Sequence, residues 1–498
     1  MEHEFHDLEY LNYIGGKWVP AKSGEWMESI EPATGQVIGR VPKSGPEDVA
    51  AAVEAAKQAF DSWRLTPAPK RGEILFRVAQ LLEERKEKLA RFMAVEMGKV
   101  LPEARGDVQE AIDMAYYMAG EGRRLFGKTV HSELPNKSCW AERAPVGVVG
   151  VITPWNFPIA IPSWKILPAL ICGNTVVFKP ASDTPMLGAE FVKIFEEAGL
   201  PPGVLNLVTG PGSSVGNAIV EHPDVKVISF TGSTESGRQV ATIAAAQLKK
   251  VALEMGGKNA IIVMDDANQN LALEAVIWSA FGTTGQRCTA CSRLILHRAI
   301  KDEFTERLVE ATRALKLGHG LDPETDVGPV INAAALRKIH SYTAVAQQEG
   351  AAILVGGRIW ENGGGFFYEP TLFDNVQPHF RVAQEEIFGP CLSIITADSL
   401  EEAIRINNSV AYGLSSSLFT QDVNRAFQAI RDFSTGLVYI NHGTIGAETH
   451  LPFGGTNDTG NGTREAAWAA LDTFSEWKAV YVDWSGRLQR AQIDTHEQ

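Results

Sequence analysis

Between residues 146 and 264 the chain alternates short apolar runs that favour β-strands with longer amphipathic stretches that favour helices. The apolar runs are residues 146–152, 175–179, 204–208, 227–230, 251–254 and 260–264. Helical periodicity fills the intervals at residues 158–170, 186–198, 215–221, 233–247 and 269–281. This alternation of strands and helices predicts parallel strands that are joined by crossover helices, and therefore an α/β fold with a doubly wound sheet. Such a sheet binds ligands beyond the carboxyl ends of its strands, so functional side chains are expected just after these runs.

A second stretch of the same kind begins at the apolar run Leu294-Ile295-Leu296 and continues to Ile440. With 498 residues the chain exceeds what one hydrophobic core covers. We therefore expect two α/β units, each with its own sheet. The first quarter differs, because residues 46–63, 71–95 and 103–125 have helical periodicity with many surface charges. Before them, residues 11–19 alternate like one short strand.

Residues 128–144 interrupt the main pattern. Thr129-Val130-His131 and Cys139-Trp140-Ala141 flank a Leu-Pro-Asn-Lys turn, which predicts a β-hairpin outside the main fold. A protruding hairpin often pairs with another subunit, so this segment is a candidate for oligomer contacts. Near the C-terminus, residues 478–483 alternate like an edge strand.

The charge and the cysteine count limit the possible partners and compartment. A formal net charge of −14 disfavours nucleic acid and anionic membranes as partners, because both would be repelled at long range. Five cysteines, an odd and sparse number, suit a reducing compartment, so we expect a cytoplasmic protein. The polar start Met1-Glu2-His3-Glu4 is unlike a secretory signal, and no apolar segment reaches membrane-spanning length. Small molecules remain the expected ligands.

The chemistry is expected to centre on Cys288, within Thr283-Thr284-Gly285-Gln286-Arg287-Cys288-Thr289-Ala290-Cys291. Small and hydroxyl residues beside an arginine favour an exposed loop on which cationic charge promotes the thiolate. Two other interpretations fit the same residues. Cys288 could be a small buried apolar residue, or Cys288 and Cys291 could form a CxxC redox or metal pair. No second CxxC or nearby histidine completes a zinc site, so no metal is expected.

Two polar side chains follow predicted strands of the first unit. Asn156 lies in the loop Pro154-Trp155-Asn156-Phe157-Pro158, where aromatic residues and prolines would fix its amide. An amide that faces Cys288 could stabilise an oxyanion. Lys179 ends the run 175–179, at the place where such a sheet holds the sugar and phosphate of a nucleotide. The alternatives are a turn asparagine and a solvated lysine.

Three further stretches carry candidate binding or catalytic groups. Thr231-Gly232-Ser233 lies between a strand and a helix, so its amides could cradle a pyrophosphate. The following Arg238-Gln239 speaks against a phosphate-transferring Walker loop. Glu254 ends an apolar strand, and burial there would raise its pKa toward the range of a general base. Glu386, near Phe388, is a second carboxylate that could bind ribose hydroxyls beside an aromatic wall. Each stretch alone is ambiguous.

Together and in this order, these stretches resemble the aldehyde dehydrogenase superfamily across nearly the whole chain. The resemblance implies a Rossmann-like cofactor domain from residues 1–126 and 146–256 and an α/β catalytic domain from residues 257–475. It also implies a small β oligomerisation element from residues 127–145 and 476–498. By the same resemblance the chain would form a homodimer or a homotetramer.

The resemblance also assigns roles to individual residues. It implies that Cys288 is the nucleophile, Glu254 the general base and Asn156 the side-chain donor to the oxyanion. The residues implied to bind the cofactor, NAD or NADP, are Trp155, Lys179, Ser182, Gly232, Ser233, Glu386 and Phe388. The residues implied to contact the aldehyde are Phe157, Trp164, Arg287, Thr289, Ala447 and Phe453. Glu465 matches a further acid that is associated with proton relay or structure.

The implied reaction converts an aldehyde into a carboxylic acid. The Cys288 thiolate adds to the aldehyde carbon, hydride passes to the nicotinamide, and Glu254 activates the water that hydrolyses the thioester. Relatives that exclude NADP often carry an acid three positions after the lysine; here that position is Ser182, so both dinucleotides are allowed. Arg287 resembles the arginine with which some semialdehyde-oxidising relatives bind a distal carboxylate. It could equally tune the thiol or bond the backbone.

Two points remain open at this stage. The sequence departs from the family at residues 454–460, Gly-Gly-Thr-Asn-Asp-Thr-Gly, where a lysine and a serine are usual, so the packing of this loop is not predicted. An alternative function is a cysteine-dependent hydrolase that pairs Cys288 with a histidine and uses no nucleotide.

Overall fold

The computed structural model describes residues 5–361 and 364–496 and has the predicted α/β fold. Its helices are α1 (Pro46–Trp63), α2 (Ala68–Glu96), α3 (Leu101–Glu121), α4 (Ala160–Ile171), α5 (Pro185–Glu197), α6 (Asn217–Glu221), α7 (Thr234–Ala245), α8 (Gln269–Phe281), α9 (Lys301–Ala314), α10 (Ala333–Gln348), α11 (Arg381–Gln384), α12 (Leu400–Asn408), α13 (Val423–Asp432) and α14 (Ala470–Thr473). Its strands are β1 (Leu8–Glu9), β2 (Asn12–Ile14), β3 (Lys17–Val19), β4 (Trp26–Ile30), β5 (Val37–Pro42), β6 (Lys128–His131), β7 (Lys137–Pro145), β8 (Val148–Ile152), β9 (Thr175–Lys179), β10 (Leu205–Leu207), β11 (Val225–Thr231), β12 (Lys250–Glu254), β13 (Asn259–Val263), β14 (Cys291–His297), β15 (Ala352–Val355), β16 (Thr371–Asp374), β17 (Cys391–Ala397), β18 (Tyr412–Gly413), β19 (Ser415–Phe419), β20 (Leu437–Ile440), β21 (Thr456–Asn457) and β22 (Ser475–Asp483).

The first large sheet has the strand order β12-β11-β8-β9-β10-β2-β3. Its first five strands are parallel, and β8 at the centre is apolar and buried along its whole length. Both faces of such a sheet are covered by helices, which explains why the strands read as continuous apolar runs. Asn156, Lys179, Thr231 and Glu254 therefore lie at or just beyond the carboxyl ends of β8, β9, β11 and β12.

The second large sheet has the order β15-β16-β17-β14-β13-β19-β20, and all its strands except the edge strand β15 are parallel. The chain passes from the first sheet to the second between the end of β12 at Glu254 and the start of β13 at Asn259. The candidate base and the Cys288 loop, which precedes β14, are thereby placed on different sheets.

A third sheet has the order β22-β7-β6. The predicted hairpin is present as β6 and β7, and β22 pairs antiparallel with β7 over nine residues, from Ser475 opposite Pro145 to Asp483 opposite Lys137. Several large apolar side chains of this sheet are exposed, among them Trp477 and Tyr481.

The prediction of one strand over residues 11–19 is wrong. The segment forms two strands, β2 and β3, which pair antiparallel at the edge of the first sheet. Gly15 and Gly16 join them with φ angles of +59° and +81°. Two consecutive positive φ angles make a tight hairpin turn that matches strand twist, and glycine adopts them without strain. Over the described residues, no helix combines the length and the apolar character needed to cross a membrane.

Candidate active site

Two cavities meet at Cys288. The larger has a volume of about 270 Å³ and is lined by Trp155, Asn156, Gly232, Ser233, Glu386 and Phe388, among others. The smaller has a volume of about 100 Å³ and is lined by Glu254, Phe157, Trp164, Arg287, Thr289, Ala447 and Phe453, among others. Cys288, Ile161, Thr231 and Met255 line both. The residues predicted to contact the aldehyde line the smaller cavity, and those predicted to bind the cofactor, except Lys179 and Ser182, line the larger one.

The Cys288 loop follows the end of α8 and has an unusual backbone. Thr283 and Thr284 have φ angles of +51° and +58°, which β-branched residues rarely adopt and which cost roughly 1–3 kcal/mol each. Hydrogen bonds hold this conformation. The Thr283 amide donates to Glu103 Oε2 over 2.7 Å, and Thr284 Oγ1 donates to the Gly328 carbonyl over 3.0 Å. On the other side, Asn259 Nδ2 donates to the Cys288 carbonyl over 2.7 Å.

The Cys288 thiol is half-buried. Burial, together with the nearby carboxyls of Glu254 and Glu386, raises its pKa to about 12, which favours the protonated thiol. The expectation of an exposed thiolate favoured by Arg287 is therefore wrong, because desolvation and carboxylates dominate the environment of the sulfur. Cys291 lies buried at the start of β14, where its thiol donates to the Arg293 carbonyl over 3.3 Å. Both sulfurs are free thiols rather than a disulfide.

Arg287 directs its charge away from the thiol. Its Nε donates to Thr283 Oγ1 over 2.9 Å, and its NH2 group pairs with Glu103 Oε1 over 3.1 Å. The guanidinium also lies over the Phe157 ring, with its carbon 5.3 Å from the ring centroid. Arg287 nevertheless lines the smaller cavity, and 11% of its side chain is exposed.

Glu254 ends β12 with its side chain buried against the smaller cavity. Its Oε1 atom has no hydrogen-bond partner among the described residues. Burial raises its pKa well above the ordinary value, the carboxylate of Glu465 adds to the rise, and Lys165 opposes it. A Cβ atom on Gly454 would lie 2.5 Å from Glu254 Oε1, so only glycine leaves room for this carboxyl.

Glu465 and Lys165 form a buried ion pair next to Glu254. The Lys165 ammonium also donates to Ser229 Oγ over 3.1 Å. The charges of Lys165 and Glu465 neutralise each other. Of the two carboxyls, Glu254 is the one whose Oε1 atom has no hydrogen-bond partner among the described residues.

Asn156 lies in the loop after β8 and lines the larger cavity with Cys288. Its Nδ2 atom donates to the Gln286 carbonyl over 3.0 Å, two residues before the cysteine. An amide nitrogen carries two N–H donors, so this bond fixes the orientation of Asn156 and leaves a second donor. Gln286 is itself anchored, since the Ile331 amide donates to its Oε1 over 2.9 Å.

Gly232 and Ser233 form the turn between β11 and α7. Ser233 caps α7, with its hydroxyl accepting from the Ser236 amide. A Cβ atom on Gly232 would lie 2.5 Å from the Phe230 ring, so glycine is required for the turn to pack. The amides at the N-terminus of α7 thus border the larger cavity, where a helix terminus favours a negatively charged group.

Glu386 and Phe388 form the opposite wall of the larger cavity. Glu386 Oε1 accepts from the Gly257 amide over 2.9 Å, and burial raises the pKa of its carboxyl. A Cβ atom on Gly256 would lie 2.2 Å from Glu386 Oε2, which makes that glycine necessary. Phe388 has a φ angle of +61° and meets Trp155 edge to face, with ring centroids 5.5 Å apart.

Lys179 and Ser182 lie outside the linings of both cavities. Lys179 pairs in register with Ile152 at the carboxyl end of β9, and its Nζ atom donates to the Pro180 carbonyl over 2.8 Å. Burial lowers its pKa to about 8, against the opposing effect of Asp183. Ser182 Oγ donates to the Gly210 carbonyl over 3.1 Å. Among the described residues, neither cavity lining includes a histidine, so the hydrolase alternative lacks its base at Cys288.

Comparison with known proteins decides the family. Residues 18–480 match the sequence profile of the "Aldehyde dehydrogenase family". The chain belongs to that family. It is 44% identical over 477 residues to the alpha-ketoglutaric semialdehyde dehydrogenase of Bacillus subtilis, covering 95% of this chain and 98% of the relative. It is 43% identical over 475 residues to the alpha-ketoglutarate semialdehyde dehydrogenase of Haloferax volcanii, covering 94% of this chain and 98% of the relative.

Solved structures agree with this family membership. The crystal structure of betaine aldehyde dehydrogenase from Staphylococcus aureus in complex with NAD+ superposes with a TM-score of 0.94 at 35% identity. The match covers 96% of this chain and 96% of that chain. The fold expected from the resemblance is therefore confirmed.

The loop at residues 454–460, where this aldehyde dehydrogenase departs from the usual family pattern, packs directly behind Glu254. The Met255 amide donates to the Thr459 carbonyl over 2.7 Å, and Thr459 Oγ1 donates to the Gly256 carbonyl over 2.8 Å. The Gly413 amide donates to Thr459 Oγ1 over 3.1 Å. The loop therefore holds the segment between Glu254 and β13 through the fully buried Thr459.

Sequence reasoning missed the charged wall of the smaller cavity in this aldehyde dehydrogenase. Glu110 lines that cavity. Glu103 pairs with Arg287, and Lys99 lies over the Phe157 ring. Glu103, Asp107 and Glu110 are spaced so that they share one face of α3. This spacing could have indicated the site, because it places acids on the same face of the helix as buried apolar residues.

Proposed function

We propose that this chain oxidises an aldehyde to a carboxylic acid with NAD+ or NADP+ through a covalent intermediate on Cys288. One observation carries the proposal: the Cys288 thiol lines both the cavity of Glu386, Phe388 and Gly232 and the cavity of Glu254. A nucleophile, a base and a dinucleotide site must share one space for this chemistry. The relatives that bear aldehyde dehydrogenase names, and a neighbour solved with NAD+, support it.

The residues of the larger cavity suit a dinucleotide. The N-terminus of α7 at Ser233 offers amides to a pyrophosphate, and glycine at position 232 lets the turn pack closely. Glu386 offers a carboxylate to ribose hydroxyls, and Phe388 and Trp155 offer flat apolar walls. Lys179 and Ser182 are proposed to bind the adenosine ribose. A bound nicotinamide would supply the hydride acceptor.

The chain's own residues account for the other steps. Cys288 Sγ adds to the aldehyde carbon, and the second amide N–H of Asn156 stabilises the oxyanion that forms. Loss of hydride from the thiohemiacetal leaves a thioester on Cys288. Glu254 Oε1, which has no other bond within the described residues, accepts a proton from water as the water attacks the thioester. The acid departs, and Cys288 is released as a thiol.

We further propose that the aldehyde carries a negatively charged group. Arg287 lines the smaller cavity beside Phe157, Trp164, Thr289, Ala447 and Phe453, and its guanidinium is the cation of that lining. Semialdehydes bear a carboxylate at the far end, which an arginine binds through charge-assisted hydrogen bonds. The semialdehyde dehydrogenases among the relatives support this substrate class.

The assembly and the compartment remain proposals of the same kind. The sheet β22-β7-β6 exposes Trp477 and Tyr481 and suits pairing with a second copy, in a homodimer or a homotetramer. We propose the division into cofactor domain, catalytic domain and oligomerisation element given above, because the chain changes sheets between Glu254 and Asn259. Five free thiols suit the cytoplasm.

A panel of aldehydes tests the proposed function. Aliphatic, aromatic and carboxylate-bearing aldehydes are each offered with NAD+ and with NADP+, and absorbance of the reduced nicotinamide is followed. We expect turnover with at least one dinucleotide and the highest kcat/KM for a carboxylate-bearing aldehyde. The absence of reduced nicotinamide with every aldehyde would overturn the oxidation, and a preference for uncharged aldehydes would overturn the substrate class.

A further inference from the structure

Glu110 is a cavity-lining acid that the mechanism above does not use. It lies on α3, on the face that also carries Glu103 and Asp107, and lines the smaller cavity together with Cys288, Arg287 and Trp164. It is the acid of α3 that reaches the space where the aldehyde must lie.

Two ion pairs leave Glu110 without a countercharge. Lys99 pairs with Asp107 over 2.7 Å, and both side chains are fully buried. Arg287 pairs with Glu103 over 3.1 Å. Lys99 also lies 3.5 Å above the centroid of the Phe157 ring. The helix face thus presents three acids to two cations. Lys99 is paired with Asp107 and Arg287 with Glu103, so Glu110 is the acid without an ion pair among the described residues.

The Glu110 carboxyl makes no hydrogen bond or ion pair with the rest of the described chain. Glu110 is only partly buried, so water or a ligand in the cavity can bond its carboxyl. A substrate that displaces this water must offer Glu110 a hydrogen bond in its place, because an unsatisfied polar group is costly.

The charged and titratable groups around Glu110 come from several elements. They are Asp107 and Asp113 on α3, Lys99 before it, Arg287 and Cys288 on the cysteine loop, Tyr439 on β20, and Glu254 and Glu465 across the cavity. Burial and the charge of Asp107 raise the pKa of Glu110 to about 8, against the opposing effects of Lys99 and Arg287. Near neutral pH this favours the protonated carboxyl, which can donate a hydrogen bond.

We propose that Glu110 is a specificity-determining residue, which donates a hydrogen bond from its neutral carboxyl group to an oxygen of the aldehyde's polar tail while Arg287 faces the tail's negative charge. The substrate class is then an aldehyde whose tail carries both a carboxylate and a hydrogen-bonding oxygen, such as a keto or second carboxylate oxygen. This inference rests on the proposed function and refines its substrate.

The protonation state of Glu110 decides whether it attracts or repels the charged tail of the aldehyde. A neutral acid attracts an oxygen acceptor without repelling the tail's charge, whereas an ionised Glu110 would repel the same tail across a space that excludes water. The KM for a charged aldehyde should therefore rise as the pH passes upward through about 8, the value to which burial raises the pKa of Glu110. The KM for an uncharged aldehyde of the same length should not follow this rise.

Two substitutions of Glu110 and one control test the proposal. Glu110→Gln keeps a neutral donor, and Glu110→Leu keeps the volume without one. Glu306→Gln is the control, because Glu306 is an exposed acid of α9 outside both cavity linings. Steady-state kinetics use succinic semialdehyde, a five-carbon 2-oxo-semialdehyde and pentanal at several pH values, each with saturating dinucleotide.

We expect Glu110→Leu to lower kcat/KM for the 2-oxo-semialdehyde about tenfold or more, because the oxygen of its tail would be buried without a donor, with pentanal changed less than about threefold. Glu110→Gln should keep activity near neutral pH and abolish the rise of KM with pH. Glu306→Gln should behave as the unsubstituted protein.

Three results would overturn the inference. They are an equal loss for the 2-oxo-semialdehyde and pentanal in Glu110→Leu, a rise of KM with pH for the 2-oxo-semialdehyde that persists in Glu110→Gln, and the same rise of KM with pH for pentanal in the unsubstituted protein. Failure of the proposed function would look different, since no aldehyde would then produce reduced nicotinamide in the unsubstituted protein.

Discussion

The thiol of Cys288 and the carboxyl of Glu254 face the same cavity of about 100 Å³ from two different sheets. The carboxyl raises the pKa of the thiol, and burial raises the pKa of both groups above their ordinary values. The uncharged form of each group is therefore favoured, so the thiol must lose its proton before it adds to an aldehyde, and the carboxyl must lose its proton before it can activate water. The Oε1 atom of Glu254 has no hydrogen-bond partner among the described residues, so the ionised carboxylate would face the cavity with that oxygen available to water.

Substitution Glu254→Gln separates the two halves of the proposed reaction. The amide fills the same space but cannot accept a proton from water, so the thioester on Cys288 should accumulate. We expect one rapid equivalent of reduced nicotinamide per active site, followed by steady-state turnover slowed about a hundredfold or more. Rapid mixing with absorbance detection measures both phases. Unchanged steady-state turnover would show that another group activates the water.

The raised pKa of Cys288 predicts slow alkylation of the free protein. Because the pKa is about 12, the thiolate fraction, and with it the rate of inactivation by iodoacetamide, should rise about tenfold per pH unit from about pH 7 to about pH 9. A plateau below about pH 8 would contradict the raised pKa. The measurement is made without dinucleotide, since a ligand in the larger cavity changes the surroundings of the sulfur.

Substitution Arg287→Met tests the proposed anchor for the substrate's charge. Loss of one or two charge-assisted hydrogen bonds of about 1.5–3 kcal/mol should lower kcat/KM for semialdehydes roughly tenfold to a hundredfold and spare simple aldehydes. Since Arg287 also pairs with Glu103, thermal unfolding of the variant is measured in parallel. An equal loss for both aldehyde classes at an unchanged Tm would refute the anchoring role.

Thr459 offers a test of the atypical loop. Substitution Thr459→Val keeps the shape but removes the hydroxyl that bonds Gly256 and Gly413, leaving two buried groups unsatisfied. We expect a loss of stability of about 1–3 kcal/mol and slower thioester hydrolysis, because the loop supports the segment after Glu254. Thr459→Ser retains the hydroxyl and should lie close to the unsubstituted protein. Equal effects of the two substitutions would show that the hydroxyl is not the support.

Local pattern was enough to predict the parallel strands and the groups at their ends. Lys179 and Glu254 each end a buried strand, as their apolar runs indicate, because parallel strands covered on both faces have continuous apolar sequences. The residues predicted for the cofactor and the aldehyde came from the resemblance, and their roles remain predictions.

Long-range contacts account for what the sequence could not predict. The raised pKa of Cys288 results from burial and from Glu254 and Glu386, which approach the thiol only when two sheets meet. Arg287 is diverted by Glu103, a residue of a helix nearly two hundred positions earlier that pattern alone assigns to packing. The support of Glu254 by Thr459 likewise joins segments that the sequence places far apart.

The central claim is that one sulfur and a bound dinucleotide act in the same space. The direct measurement compares Cys288→Ala with the unsubstituted protein in two assays, binding of the dinucleotide by calorimetry and formation of reduced nicotinamide in the presence of aldehyde. We expect unchanged binding and a loss of turnover of about a thousandfold or more, as follows removal of a covalent nucleophile. Turnover by Cys288→Ala at a rate near that of the unsubstituted protein would contradict the account.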